Sequence, residues 1–152
     1  MRPISFVLTC LLISACGRPE DPARVELRAR LKQNVQLSNE DLGRMLDEVR
    51  LAVAGNTFRI KEGAATKELD AEQRAVIFGM LTNSSGMYDE GLRLEAGGAF
   101  RVLNAPGSPL NSEIEGTRRL WIDVETFLPR RFDFAYAVPG FGDYSFELVV
   151  VR

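Results

Sequence analysis

Residues 120–138 read LWIDVETFLPRRFDFAYAV and residues 144–150 read YSFELVV. In the first run the even positions Leu120, Ile122 and Val124 are aliphatic. Beyond the break at Pro129, the even positions Phe132, Phe134, Tyr136 and Val138 are again apolar. Tyr144, Phe146, Leu148 and Val150 repeat the pattern. Successive side chains on a strand point to opposite faces, so one parity held through three strands predicts an antiparallel meander packed on one side. Eight of the thirteen aromatic residues lie after residue 120, which concentrates large apolar side chains on this sheet. Parity also limits register: if the even faces are buried together, paired residue numbers must sum to an even value. A sum of 256 sets Ile122 opposite Phe134, Val124 opposite Phe132, and Glu125 opposite Arg131, a charge pair worth about 0.2–1 kcal/mol. Pro129 lacks the N–H that an inner ladder needs.

Upstream, Leu92–Glu95 and Phe100–Leu103 flank Gly97-Gly98, the pattern of a tight hairpin. Asn104–Ser112 is rich in turn residues and reads as a loop, and Met87–Gly91 reads as an exposed turn. Before residue 90 the periodicity becomes helical. Ser38, with Asp41 three residues on, opens a helix whose apolar set is Leu42, Met45, Leu46, Val49, Ala52 and Val53, stopped at Gly55-Asn56. Thr57–Lys61 is a short strand. Asp70 and Gln73 open a second capped helix. Its apolar set, Ala75, Val76, Ile77, Phe78, Met80 and Leu81, is wide enough to predict a helix sandwiched in the core. Residues 25–37 alternate like a strand, but their Ala, Leu, Arg, Lys and Gln content favours helix through about Gln33. The fold class expected is α+β, with N-terminal helices packed on a C-terminal antiparallel sheet.

Composition narrows the chemistry. The chain has 152 residues, 19 Lys+Arg against 21 Asp+Glu, a net charge of -2, two cysteines and no histidine. The length suits one domain. The charge balance argues against a nucleic-acid partner, and the missing imidazole removes Ser-His-Asp and Cys-His catalysis and His-containing metal sites.

The N-terminus reads MRPISFVLTCLLISAC. Arg2 precedes an apolar run from Ile4 to Ile13. The run has the roughly 7–15 residues of a signal-peptide core and falls short of the about 20 needed to span a bilayer. Ile13-Ser14-Ala15-Cys16 then matches aliphatic, small, small, cysteine, and here the sequence resembles a bacterial lipoprotein precursor. The resemblance implies a signal peptide over 1–15 and diacylation of Cys16 as the mature N-terminus. The prolines and charges of Gly17–Ala23 read as a short tether, giving a lipidated tether over 16–23. The patterns beyond it read as a single α+β domain over 24–152. Gly17, where the inner-membrane retention signal usually has Asp, implies the outer membrane with the domain facing the periplasm. Cys10 would leave with the signal and Cys16 would carry lipid, so the mature domain would hold no thiol for a disulfide, metal or cofactor.

The sheet supplies the candidate site residues. Trp121 lies on the odd, otherwise polar face, with Ala135, Val149 and Val151 as prospective neighbours, and an outward aromatic there suits a ligand or partner face. Asp123 and Asp133 would face each other beside Glu125. Such carboxylates suit Ca²⁺ or acid–base chemistry, but Arg119 and Arg131 stand close enough to neutralise them, so no metal site is assigned. Arg118-Arg119 and Arg130-Arg131 fall at predicted strand ends. Trp121, Ile122, Asp123, Leu128 and Pro129 together resemble a strand–turn–strand stretch of the outer-membrane lipoprotein carrier superfamily. That resemblance implies a curved antiparallel sheet closed by helices around an acyl-chain cavity.

The expected function is therefore an outer-membrane-anchored periplasmic lipoprotein, without enzymatic activity or cofactor, that binds a lipid, a polymer or another envelope protein. The alternatives are an accessory or structural subunit of an envelope complex, and a small carboxylate-dependent hydrolase. An apolar cavity of about 300 Å³ or more favours the first. A flat apolar patch favours the second, and convergent buried carboxylates favour the third.

Overall fold

Among the described residues, a seven-stranded antiparallel sheet carries three helices against one of its faces. The computed structural model describes residues 20–83, 86–106, 116–136 and 143–151. Cys16, the expected signal peptide and the first part of the tether lie outside them. In chain order the elements are α1 (Pro22–Leu31), α2 (Asn39–Ala54), β1 (Thr57–Glu62), β2 (Ala65–Glu68), α3 (Ala71–Thr82), β3 (Tyr88–Glu95), β4 (Gly98–Pro106), β5 (Gly116–Asp123), β6 (Pro129–Tyr136) and β7 (Tyr144–Val151). The spatial order is β2-β1-β7-β6-β5-β4-β3. Strands β5 to β7 form the meander that the alternating parity predicts, the β3–β4 hairpin continues it beyond β5, and the β1–β2 hairpin extends it beyond β7. The chain is an α+β fold, with its helices mostly N-terminal.

Helix starts follow local chemistry. The Ser38 hydroxyl accepts from the Asp41 amide at 3.1 Å. Asp70 and Gln73 close a reciprocal capping box, at 2.7 and 3.1 Å, which satisfies orphan donors of the first turn of α3. Asp21 caps α1 with Pro22 at its first position, so helix begins inside the stretch expected to be tether. In α1 the alternation proves incidental: Leu27 and Leu31 are buried, four residues apart, while Val25 and Val35 are half exposed.

Three boundaries differ from expectation. Met87–Gly91 is not an exposed turn: Tyr88 to Gly91 belong to β3, and Asp89 is buried. Asn104 to Pro106 extend β4 rather than opening a loop. The β5–β6 register sums to 252, with Leu120 opposite Phe132, Trp121 opposite Arg131 and Arg119 opposite Asp133. Even parity survives, but the strands are shifted, and the turn is the cause. The Asp123 carboxylate accepts from the Glu125 and Thr126 amides at 2.8 and 3.3 Å, and the Phe127 amide donates to the Asp123 carbonyl at 2.8 Å. The ladder therefore closes at Ile122–Pro129, with an irregularity beside it, and Pro129 takes the first position of β6, where a missing N–H is tolerated. Phe127 adopts φ 60° and is fully buried, with the guanidinium groups of Arg24 and Arg28 5.6 and 5.3 Å from its ring centre.

Helix α1 is joined to the sheet by Arg101, whose side chain has no exposure to water. Its Nε donates to the Leu31 carbonyl at 2.9 Å. Nη1 donates to the Val35 carbonyl at 3.1 Å and to Asp89 Oδ2 at 3.0 Å, and Nη2 donates to the Gln33 carbonyl. Leu31 ends α1, so the guanidinium serves the carbonyl of its last residue and two more from the segment just beyond, at the end of the helix where the dipole favours a cation. Asp89 is positioned by a bulge in β3. Its Oδ1 accepts from the Gly91 amide at 3.1 Å, and Gly91 sits at φ 108°, a conformation that side chains with a Cβ rarely adopt.

Truncating one member of a buried, hydrogen-bonded pair leaves an uncompensated charge and costs about 3–5 kcal/mol. Arg101→Met should therefore lower the urea unfolding midpoint by that equivalent. Arg101→Lys should recover little, because an ammonium cannot reproduce the planar fork. The double variant Arg101→Met/Asp89→Leu should be less destabilised than Arg101→Met. An unchanged midpoint in Arg101→Met would contradict this account.

Candidate functional site

Between α2, α3 and β1 the fold leaves a solvent-open cleft of about 490 Å³. Helix α2 contributes Arg50, Val53 and Ala54, β1 contributes Thr57 and Phe58, and α3 contributes Arg74, Phe78, Leu81 and Thr82, with Asn56 and Leu69 completing the lining. The α3 residues recur at four- and three-residue intervals and so share one face of the helix. Phe58, Leu69 and Leu81 are buried and form the floor, and Val53 and Phe78 are partly exposed on the walls. Arg50 is fixed at the rim: its Nε donates to the Leu81 carbonyl at 2.7 Å and its Nη1 to Asp47 Oδ1 at 2.9 Å.

The cleft accounts for the wide apolar stripe of α3. A helix sandwiched on all sides would bury the whole set. Here Val76, Ile77, Met80 and Leu81 enter the core, Ala75 is exposed, and Phe78 turns into the cleft. The surplus of apolar positions was thus the readable sign of a site, although not of its location. The helix–sheet interface itself is filled by residues such as Leu103, Leu120, Ile122 and Phe132. The apolar space lies beside that core.

On the other face of the sheet, Trp121 and Val149 do come together, in a groove of about 390 Å³ with Lys61, Phe100, Arg130 and Arg131. Ala135 is four positions away, opposite Thr117, and Val151 pairs with Thr57 at the far end of β7. Neither lines this groove. The groove's polar groups are mutually engaged. Arg131 lies 4.9 Å from the Trp121 ring centre, and the indole N–H donates to Asp133 Oδ2 at 2.9 Å. Asp133 Oδ1 accepts from Arg131 at 2.7 Å and from Ser145 at 2.6 Å. Phe100 meets Trp121 edge-on, centroids 6.1 Å apart.

The register shift also separates the expected carboxylate pair. Asp123 sits opposite Phe100 on β4, caps its own turn and lies 3.6 Å from Arg130, whereas Asp133 faces Arg119. Among the described residues no three acidic or thiol side chains gather as a metal site would require. Arg118 and Arg119 lie within β5 rather than at a strand end. Arg119 donates to Glu90 Oε2 at 2.7 Å, and Asn104 donates to Oε1 at 2.7 Å. Burial pushes the Glu90 carboxyl up, but the bonds from Arg119 and Asn104 outweigh it and hold the group below the ordinary glutamate value. The Glu90 bond in turn raises Arg119.

A carboxyl depressed in the folded state contributes stability above its unfolded pKa and loses it as pH falls through the folded value. The Glu90→Gln variant should thus be less stable than the native chain at pH 7, and the two urea midpoints should converge as the pH is lowered toward 3. A gap that stays constant across that range would rule out the Glu90 contribution. Comparison with family models, with curated proteins and with solved structures finds no match to this chain.

Proposed function

We propose that the chain is an outer-membrane-anchored periplasmic lipoprotein with a non-enzymatic binding role, attached through Cys16, and that its ligand is a lipid held in the cleft between α2, α3 and β1. The observation that carries the lipid reading is the apolar floor of Phe58, Leu69 and Leu81 beneath a cleft of about 490 Å³. That volume lies within the roughly 300–1,000 Å³ of ligand sites. Each methylene moved from water into such a site contributes about 0.8 kcal/mol, so affinity would rise with tail length. The Trp121 groove supports a ligand less well, because its ring face and indole N–H are already committed within the protein.

The anchor rests on the sequence from Arg2 to Cys16. Acyl chains attached at one residue, each methylene contributing about 0.8 kcal/mol, hold a domain stably at a bilayer. Cys16→Ala should abolish palmitate labelling and displace the protein from outer-membrane fractions. Retained labelling would refute lipidation at this position. The full chain purified from native membranes should carry lipid at close to one molecule per chain. Ala54→Trp, which places an indole in the cleft from an exposed position, should lose that lipid without lowering the unfolding midpoint. A native chain purified empty would contradict the lipid reading.

A further inference from the structure

Resting on the reading that the cleft takes a lipid tail, we propose that the ligand is a single-tailed anionic amphiphile whose carboxylate or phosphate is held by Arg74. The lining contains two arginines and no aspartate or glutamate, in a chain where acidic residues outnumber basic ones. The cleft therefore departs from the charge of the whole molecule in the direction that selects an anion. The two arginines hold different positions. Arg50 is tied down by the Leu81 carbonyl and ion-paired with Asp47, so its charge is already answered within the protein. Arg74 is exposed in the first half of α3 and can meet a head group from solvent without first being desolvated.

The axis of α3 sets the ligand's direction. Arg74, Phe78 and Thr82 succeed one another at four-residue steps along one face, about 6 Å apart at 1.5 Å per residue. A head group at Arg74 thus leaves its tail to run past Phe78 over the buried floor of Phe58 and Leu81. A guanidinium binds carboxylate or phosphate through two parallel N–H bonds, so both head groups share the chemistry. A volume of this order holds one small ligand, which favours one tail over two. A cationic head would meet the like charge of Arg74, and a neutral head would leave that arginine's contacts unused.

The test uses photoactivatable amphiphiles carrying the same sixteen-carbon tail, added to isolated membranes that contain the full chain. The probes are palmitic acid, lysophosphatidic acid, hexadecanol and hexadecyltrimethylammonium. Mass spectrometry of labelled peptides from residues 50–58 and 69–82 gives half-saturating concentrations. The anionic probes should label these peptides at about tenfold lower concentration than hexadecanol, the value of one hydrogen bond to a charged group. Arg74→Gln should erase that advantage and leave hexadecanol labelling unchanged, and Arg74→Lys should retain part of it. A preference between palmitic and lysophosphatidic acid identifies the source of the head group. Equal labelling by all probes, or a preference for the ammonium, overturns the head-group assignment and leaves the lipid reading standing. An absence of labelling in both peptides by every probe overturns both.

Discussion

A guanidinium without access to water is expensive to bury, and Arg101 is tolerated only because its environment meets it almost donor by donor. Three backbone carbonyls from residues 31–35 and the Asp89 carboxylate surround it. The partners come from three parts of the architecture. Leu31 ends α1, the following residues connect it to α2, Asp89 belongs to β3, and Arg101 itself sits in β4. The interaction thereby fixes where the helical layer starts on the sheet. Once α1 is seated, Arg24 and Arg28 lie over Phe127 in the β5–β6 turn, Lys32 pairs with Glu125, and Arg30 reaches Asp41 at the start of α2 through paired bonds of 3.0 and 2.9 Å. The direction of α2 is set by those contacts, and with it the wall of the cleft against α3.

That constraint was invisible in the sequence because strand alternation points the other way. In Phe100-Arg101-Val102-Leu103 a reader places the charge toward solvent, yet Arg101 shares the helix-facing side with Leu103. The other side, Phe100 and Val102, is buried as well, so β4 is a strand covered on both faces and parity alone does not say which is inner. The meander itself was legible, since Leu120, Ile122, Phe132, Phe134, Phe146 and Leu148 meet one core and had no competing reading. The capping residues Ser38 and Asp70 were legible for an equally local reason. Register was half legible. Parity restricted it to even sums, but the Asp123 turn, whose hydrogen bonds are specific to its own geometry, chose 252 over 256. The short β2 strand, exposed along its length, carried no apolar pattern to read.

The candidate site shows the same division. Of the residues expected on the outer face, Trp121 and Val149 line one groove and Ala135 and Val151 lie apart from it, because diagonal neighbours in a twisted sheet depend on register. The apolar cleft was present in the sequence only as an excess, a helix with more apolar positions than one buried face needs. Its resolution into core residues and a solvent-open wall at Phe78 required the angle between α2 and α3. Two sites with different character result. The outer groove is polar and internally compensated, and the cleft is apolar with Arg74 exposed at its rim, the combination that the proposed lipid ligand would use.

Hydrogen–deuterium exchange on the full chain purified from native membranes, compared before and after removal of bound lipid, separates these two surfaces most directly. Delipidation should raise exchange in residues 50–58 and 69–82 while residues 117–123 and 129–135 of β5 and β6 stay unchanged. A change confined to the β5 and β6 peptides, with the α2–α3 cleft unaffected, would contradict the lipid reading.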